Sequence, residues 1–124
     1  MRWWTTLATG AVLFCAGAAH ADDDDKIDCA KAVVQYDLNV CADRAYQAAD
    51  RKLNETYRAV MAGLGDAART KLRAAQRKWI VSRDRECKAE AEGEEGGSLY
   101  PMTLSGCLAD KTKARTKELQ SLPR

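Results

Sequence analysis

The chain has 124 residues, 46% of them apolar and 31% charged, with a formal net charge of +2. That suits one small globular domain rather than several domains or a disordered tail, and so even a charge gives no global pull toward nucleic acid. The single histidine, His20, and one of the five cysteines, Cys15, lie within the first twenty residues, so the start of the mature chain decides which chemistry it keeps.

Arg2 supplies a positive start, the stretch from Leu7 to Ala19 is nearly all apolar or small, and Ala19-His20-Ala21 has the small-x-small pattern of a signal-peptidase site. Residues 1–21 therefore read as a cleaved signal peptide, and the product as periplasmic or secreted. A retained anchor and a lipidated Cys15 are the alternatives. The apolar run is shorter than the ~20 residues that span a bilayer, and Phe14 is large where the residue before a lipidated cysteine is small. Cleavage leaves 103 residues with 19 basic and 18 acidic side chains and no histidine. Nothing later in the chain is long or apolar enough for a second membrane segment. Residues 22–28 open with Asp22-Asp23-Asp24-Asp25-Lys26, an acidic run expected to be solvated and disordered. It matches an engineered protease-cleavage tag as well as it matches native sequence. The folded domain is expected over 29–122.

A short helical piece is expected near Ala30 to Val34. From Leu38 to Leu64 the apolar and small residues Leu38, Cys41, Ala45, Ala48, Ala49, Leu53, Tyr57, Val60, Met61 and Leu64 recur at spacings of three and four, the stripe of a helix. Asp37 is its expected N-cap and Gly63-Leu64-Gly65 its stop, giving a helix of roughly 40 Å at 1.5 Å per residue. Asp66 can cap a second helix to about Ala91, with Ala68, Leu72, Ala75, Gln76, Trp79, Ile80, Arg83 and Cys87 on its stripe. The short connection predicts an antiparallel hairpin. Gly93-Glu94-Glu95-Gly96-Gly97-Ser98 then breaks the pattern, and Pro101 fits the first turn of a third helix carrying Met102, Cys107, Leu108, Thr112, Arg115 and Leu119. No segment alternates with period two, so the predicted fold is all-α: a small disulfide-stapled bundle of a long hairpin and a third helix.

Cys29, Cys41, Cys87 and Cys107 remain after cleavage, and an even count in an exported chain reads as disulfides. Without histidine or a close CxxC pair, a metal site is the weaker reading, and no cofactor is expected. A straight helix would hold Cys29 and Cys41 roughly 18 Å apart, so bridging them requires a chain reversal near Tyr36-Asp37. Cys87 and Cys107 flank a loop that returns antiparallel. The favoured pairing is Cys29 with Cys41 and Cys87 with Cys107, with Cys41 to Cys87 across the hairpin as the alternative. Each closed loop contributes ~3 kcal/mol on the chain-entropy estimate.

The chain left after cleavage lacks the commonest general base and metal ligand. Ser98 in the glycine loop suits a turn or cap, and nothing brings two of Asp50, Asp84, Glu86 and the loop glutamates to a common cleft as a glycosidase would need. No catalytic residue is assigned. Asp50, Asn54, Tyr57, Gln76, Trp79, Arg83 and Arg115 read as a buried or half-buried set fixing helix register, or as an anchor patch for a partner. The second helix is basic, with Arg69, Lys71, Arg73, Arg77, Lys78, Arg83, Arg85 and Lys88, and reads as a solvated face or a surface for anionic envelope polymers. Glu90, Glu92, Glu94 and Glu95 follow without a basic residue among them, a flexible loop or a docking element for a cationic protein.

Taken together, Cys41, Tyr46, Asp50, Leu53-Asn54 and Tyr57, then Leu72, Gln76-Arg77-Lys78-Trp79, Arg83-Asp84 and Cys87, then the Gly-Gly-Ser loop, Met102, Cys107, Thr112, Arg115 and Leu119 resemble the LprI-like lysozyme-inhibitor N-terminal domain family of exported bacterial proteins. The resemblance runs from Cys29 to Leu119. It implies a small disulfide-bonded helical domain and, since a member of the family inhibits lysozyme, a partner such as c-type lysozyme or another envelope protein. The alternative is an envelope-binding or structural module without inhibition. No inhibitory residue transfers from the family; the acidic stretch Glu90 to Glu95 is the expected partner surface from its charge alone.

Overall fold

The computed structural model describes residues 21–123. The signal-peptide reading of residues 1–21 falls almost wholly outside them. The element order is a helical turn α1 (Ala21–Asp24), the long helices α2 (Gln35–Ala62) and α3 (Asp66–Ala91), a 3-10 turn at Glu92–Glu94, and α4 (Tyr100–Gln120). There is no strand among the described residues.

No glycine or proline interrupts α2 over its 28 residues, and the helix stops where Gly63 begins the connection. Its start differs from expectation. The backbone is extended at Val34 and helical from Gln35, so Asp37 lies in the first turn, where its carboxylate meets the positive end of the helix dipole. Residues 30–34 are not helical. The Asp28 carboxylate accepts the Ala30 N–H at 3.0 Å, its carbonyl accepts the Lys31 N–H at 3.0 Å, and this local turn competes with helix formation. The reversal needed by a Cys29–Cys41 bridge is thus completed just before Tyr36. Both favoured disulfides are present, Cys29–Cys41 with Cα atoms 5.6 Å apart and Cys87–Cys107 at 5.5 Å.

Within residues 22–28, Arg44 of α2 donates to the carbonyls of Ile27, at 2.7 Å, and Asp24. The Tyr36 hydroxyl donates to the Asp24 carboxylate, and the Cys29 bridge closes the segment from the other side.

Extended backbone at Gly65 leads into α3, and Arg69 reaches back to the Met61 carbonyl at 2.9 Å, satisfying one of the free carbonyls at the end of α2. Beyond α3, Gly96 has φ of 79°, a left-handed conformation that glycine adopts without a Cβ clash, and the chain turns there. Pro101 sits in the first turn of α4, where its missing N–H has no helical partner to lose.

Helices α2 and α4 run parallel, since Asn39 donates to the Ser98 carbonyl at 3.0 Å and Gln35 approaches Met102 at the same end. They form the most extensive backbone contact in the molecule, and α3 runs antiparallel against α4. The reason lies in side-chain size: the buried positions of α2 and α4 include Ala49, Thr56, Ala109, Thr112 and Thr116. Residues this small let helix axes approach closely. The hairpin arms α2 and α3 stand further apart, joined through Leu53, Val60, Leu72 and Leu119 with Tyr57, Met61, Leu64 and Trp79 packed around them. Ala45, Ala48, Ala68 and Ala75 of the expected stripes are consequently exposed.

Candidate functional site

The interior of the bundle carries a polar set organised by Arg83, which is 7% exposed. Its Nε and Nη2 lie 2.9 Å from the Asp84 carboxylate, and its Nη1 donates to the Thr112 hydroxyl at 3.2 Å and stands 4.0 Å from Asp50. The guanidinium is 5.4 Å from the Tyr46 ring centroid and 5.1 Å from that of Trp79. Arg115 covers Trp79 as well, at 5.8 Å, donates through Nε to Gln76 Oε1 at 3.0 Å, and pairs with Glu118 at 2.9 Å. The structure therefore brings together Gln76, Trp79, Arg83 and Arg115 from α3 and α4, with Asp50 at the edge. Asn54 is exposed and reaches only Asp50, at 3.2 Å, while Tyr57 packs on the core. Thr112 and Asp84, which lie outside the polar set expected from the sequence, supply the acceptors for Arg83.

The four glutamates lie at the end where α3 meets α4. Glu90 closes α3, Glu92 and Glu94 belong to the 3-10 turn, and Glu95 follows it. Glu90, Glu92 and Glu95 are exposed, whereas Glu94 is half-buried and accepts a hydrogen bond from the Thr103 hydroxyl. This loop is tied down by that bond, by the Asn39 contact to Ser98, and by the Cys87–Cys107 bridge at its base. At the same end of the bundle Val33 is 84% exposed, and Val34 and Leu99 are also open to solvent. The sequence reading missed these three as surface residues. Val33 and Val34 fall in the expected helical piece from Ala30 to Val34, which the extended backbone there replaces.

Between α3 and α4, Lys111 donates to Glu86 at 2.6 Å and Ser82 donates to the same carboxylate at 2.7 Å. The Lys111 hydrogen bond and then that of Ser82 hold the Glu86 carboxyl below its ordinary range, and Glu86 raises Lys111 in return. No group of three or more His, Cys, Asp or Glu side chains placed to hold a metal ion occurs among the described residues. No helix among them is long and apolar enough to cross a membrane.

A three-helix bundle stapled by two disulfides, with its inner polar groups spent on each other and its free charges turned outward, defines a small scaffold of presented surfaces. The chain belongs to the lysozyme inhibitor LprI family, whose pattern matches residues 27–119. An uncharacterised protein of Rhizobium meliloti (strain 1021) is 44% identical over 128 aligned residues, covering 93% of this chain and 91% of the relative. No solved structure matches the chain.

Proposed function

We propose that this is an exported binding protein that inhibits lysozyme by protein–protein contact rather than by catalysis, released near Ala21 and acting in the periplasm or outside the cell. The observation that carries the reading is the acidic end. Glu90, Glu92, Glu94 and Glu95 stand on a stapled loop at the same end as exposed Val33, Val34 and Leu99. Carboxylates steer a cationic partner such as a c-type lysozyme, and apolar side chains in a rigid setting bind without a large ordering cost. The family supplies the target class.

The test is lysis of a peptidoglycan suspension by c-type lysozyme with stoichiometric oxidised protein, its reduced form serving as control. Inhibition that disappears on reduction is expected. Undiminished lysis at an excess of the protein overturns the reading and leaves an envelope-binding module, for which the exposed cations of α3 are the natural surface. That module is recognised by salt-sensitive retention on anionic envelope polymers.

A further inference from the structure

Where α2 and α3 stand apart, their facing sides enclose a cleft of about 240 Å³, away from the acidic end. Its two walls differ in chemistry. On α3, Arg73 and Arg77 sit one turn apart on one face, exposed, and neither makes a hydrogen bond or ion pair within the protein among the described residues. Gln76 lies beside them and is 8% exposed. Arg115 donates to its carbonyl oxygen at 3.0 Å, which fixes the amide, and the NH2, not being buried, opens to the cleft as a donor free for a ligand. On α2, the Asp50 carboxylate accepts only from Asn54, at 3.2 Å, and keeps acceptor capacity. Leu53, Tyr57 and Ile80 supply apolar surface between the walls.

We propose that this cleft binds the free C-terminal end of a peptide. The carboxylate meets Arg73, Arg77 and the Gln76 amide, the last peptide N–H faces Asp50, and a small apolar side chain lies on Leu53 and Ile80. Two separated guanidinium groups suit an anion. Asp50 opposite them disfavours a phosphate and favours a ligand that carries an N–H donor as well. The volume is below the roughly 300–1,000 Å³ of sites for drug-sized ligands and admits only one or two residues. Arg83, already engaged by Asp84 and Thr112, positions Asp50 instead of binding the ligand.

The probe is N-acetyl-Ala-Ala, titrated into oxidised 15N-labelled protein, with its C-terminal amide and inorganic phosphate as comparison ligands. Saturable shifts of the Gln76 side-chain amide and the Arg73, Arg77 and Ile80 backbone signals are expected, with the amide analogue and phosphate binding at least about tenfold more weakly. Arg77→Gln removes the preference for the free carboxylate; the side chain is exposed, so folding is unaffected. Glu95→Gln leaves the titration unchanged, so the result does not depend on lysozyme inhibition. Equal binding of acid and amide, tighter binding of phosphate, or no shift at about 10 mM peptide overturns the proposal.

Discussion

The Arg83 guanidinium stands 5.1 Å from the centroid of the Trp79 ring, one turn earlier on the same helix. Stacking alone is a modest attraction, but the same group also satisfies Thr112 and Asp84 and is almost wholly shielded. Arg83→Ala is therefore expected to lower unfolding stability by about 2 kcal/mol, below the usual 3–5 kcal/mol for a broken buried pair, because Asp84 and Asp50 remain close enough to water to be rehydrated. Arg83→Lys recovers little, since a lysine offers neither the paired N–H groups facing Asp84 nor a planar face for Trp79. Urea unfolding of the three proteins measures both effects. A midpoint for Arg83→Ala equal to wild type contradicts the assigned role.

The two disulfides close chain separations of 12 and 20 residues and contribute about 3 kcal/mol each in the chain-entropy treatment. Their accessibilities differ more than their loop lengths. Cys29 is exposed, while Cys87 is 0% exposed and Cys107 is buried. Limited thiol reductant is expected to open Cys29–Cys41 first and to leave Cys87–Cys107 intact until the bundle unfolds, because exchange requires a thiolate to reach a sulfur. Timed alkylation with peptide mass mapping reads the order directly. Simultaneous opening of both bridges contradicts it.

The helices and bridges were legible in the sequence because large apolar residues and cysteines carry positional information: Leu53, Val60 and Leu72 mark buried faces, and Cys29 with Cys41 demands a reversal. The close partnership of α2 with α4 was not legible. It rests on Ala49, Ala109, Thr112 and Thr116, and small residues write a weak pattern that fits exposed and buried faces equally. For the same reason Ala68 and Ala75 looked like core. The polar set was visible as residue types on helical faces, but composition does not tell that Gln76 is buried while Asn54 is exposed; the third helix decides that by covering one and not the other. The acidic loop looked flexible because glycines and glutamates are common in mobile loops, and the Thr103 and Asn39 bonds that hold it come from elements distant in the chain.

The Glu86–Lys111 pair gives stability a pH dependence whose direction follows from both shifts. Glu86 is held below its ordinary value of 4.5, so its contribution is present above that pH and is lost as the pH falls through the lowered value. Lys111 is raised above 10.5, so its contribution is present below that pH and disappears as the pH rises through the raised value. Both groups are solvent-exposed, and the effect is accordingly small and salt-sensitive. Glu86→Gln should flatten the acid-side decline in melting temperature relative to wild type while changing the plateau between these limits only slightly. An unchanged acid-side slope shows that other carboxylates dominate.

Glu92 and Glu95 are exposed, whereas Glu94 is engaged by Thr103, so charge and structure can be separated at the acidic end. Replacing Glu92 and Glu95 together by glutamine is expected to leave stability within about 0.5 kcal/mol and to slow association with lysozyme by about tenfold at low ionic strength, the difference shrinking as salt is added. Glu94→Gln removes a carboxylate that also anchors the turn, and its effect on association should persist at high salt because the loop itself is loosened. Val33→Ser tests the apolar share of the same end; it should raise the dissociation rate with little change in association, as loss of a short-range contact does. Surface-binding kinetics over a salt series distinguish the three. If the double glutamine variant associates at the wild-type rate at every salt concentration, steering by the loop is excluded.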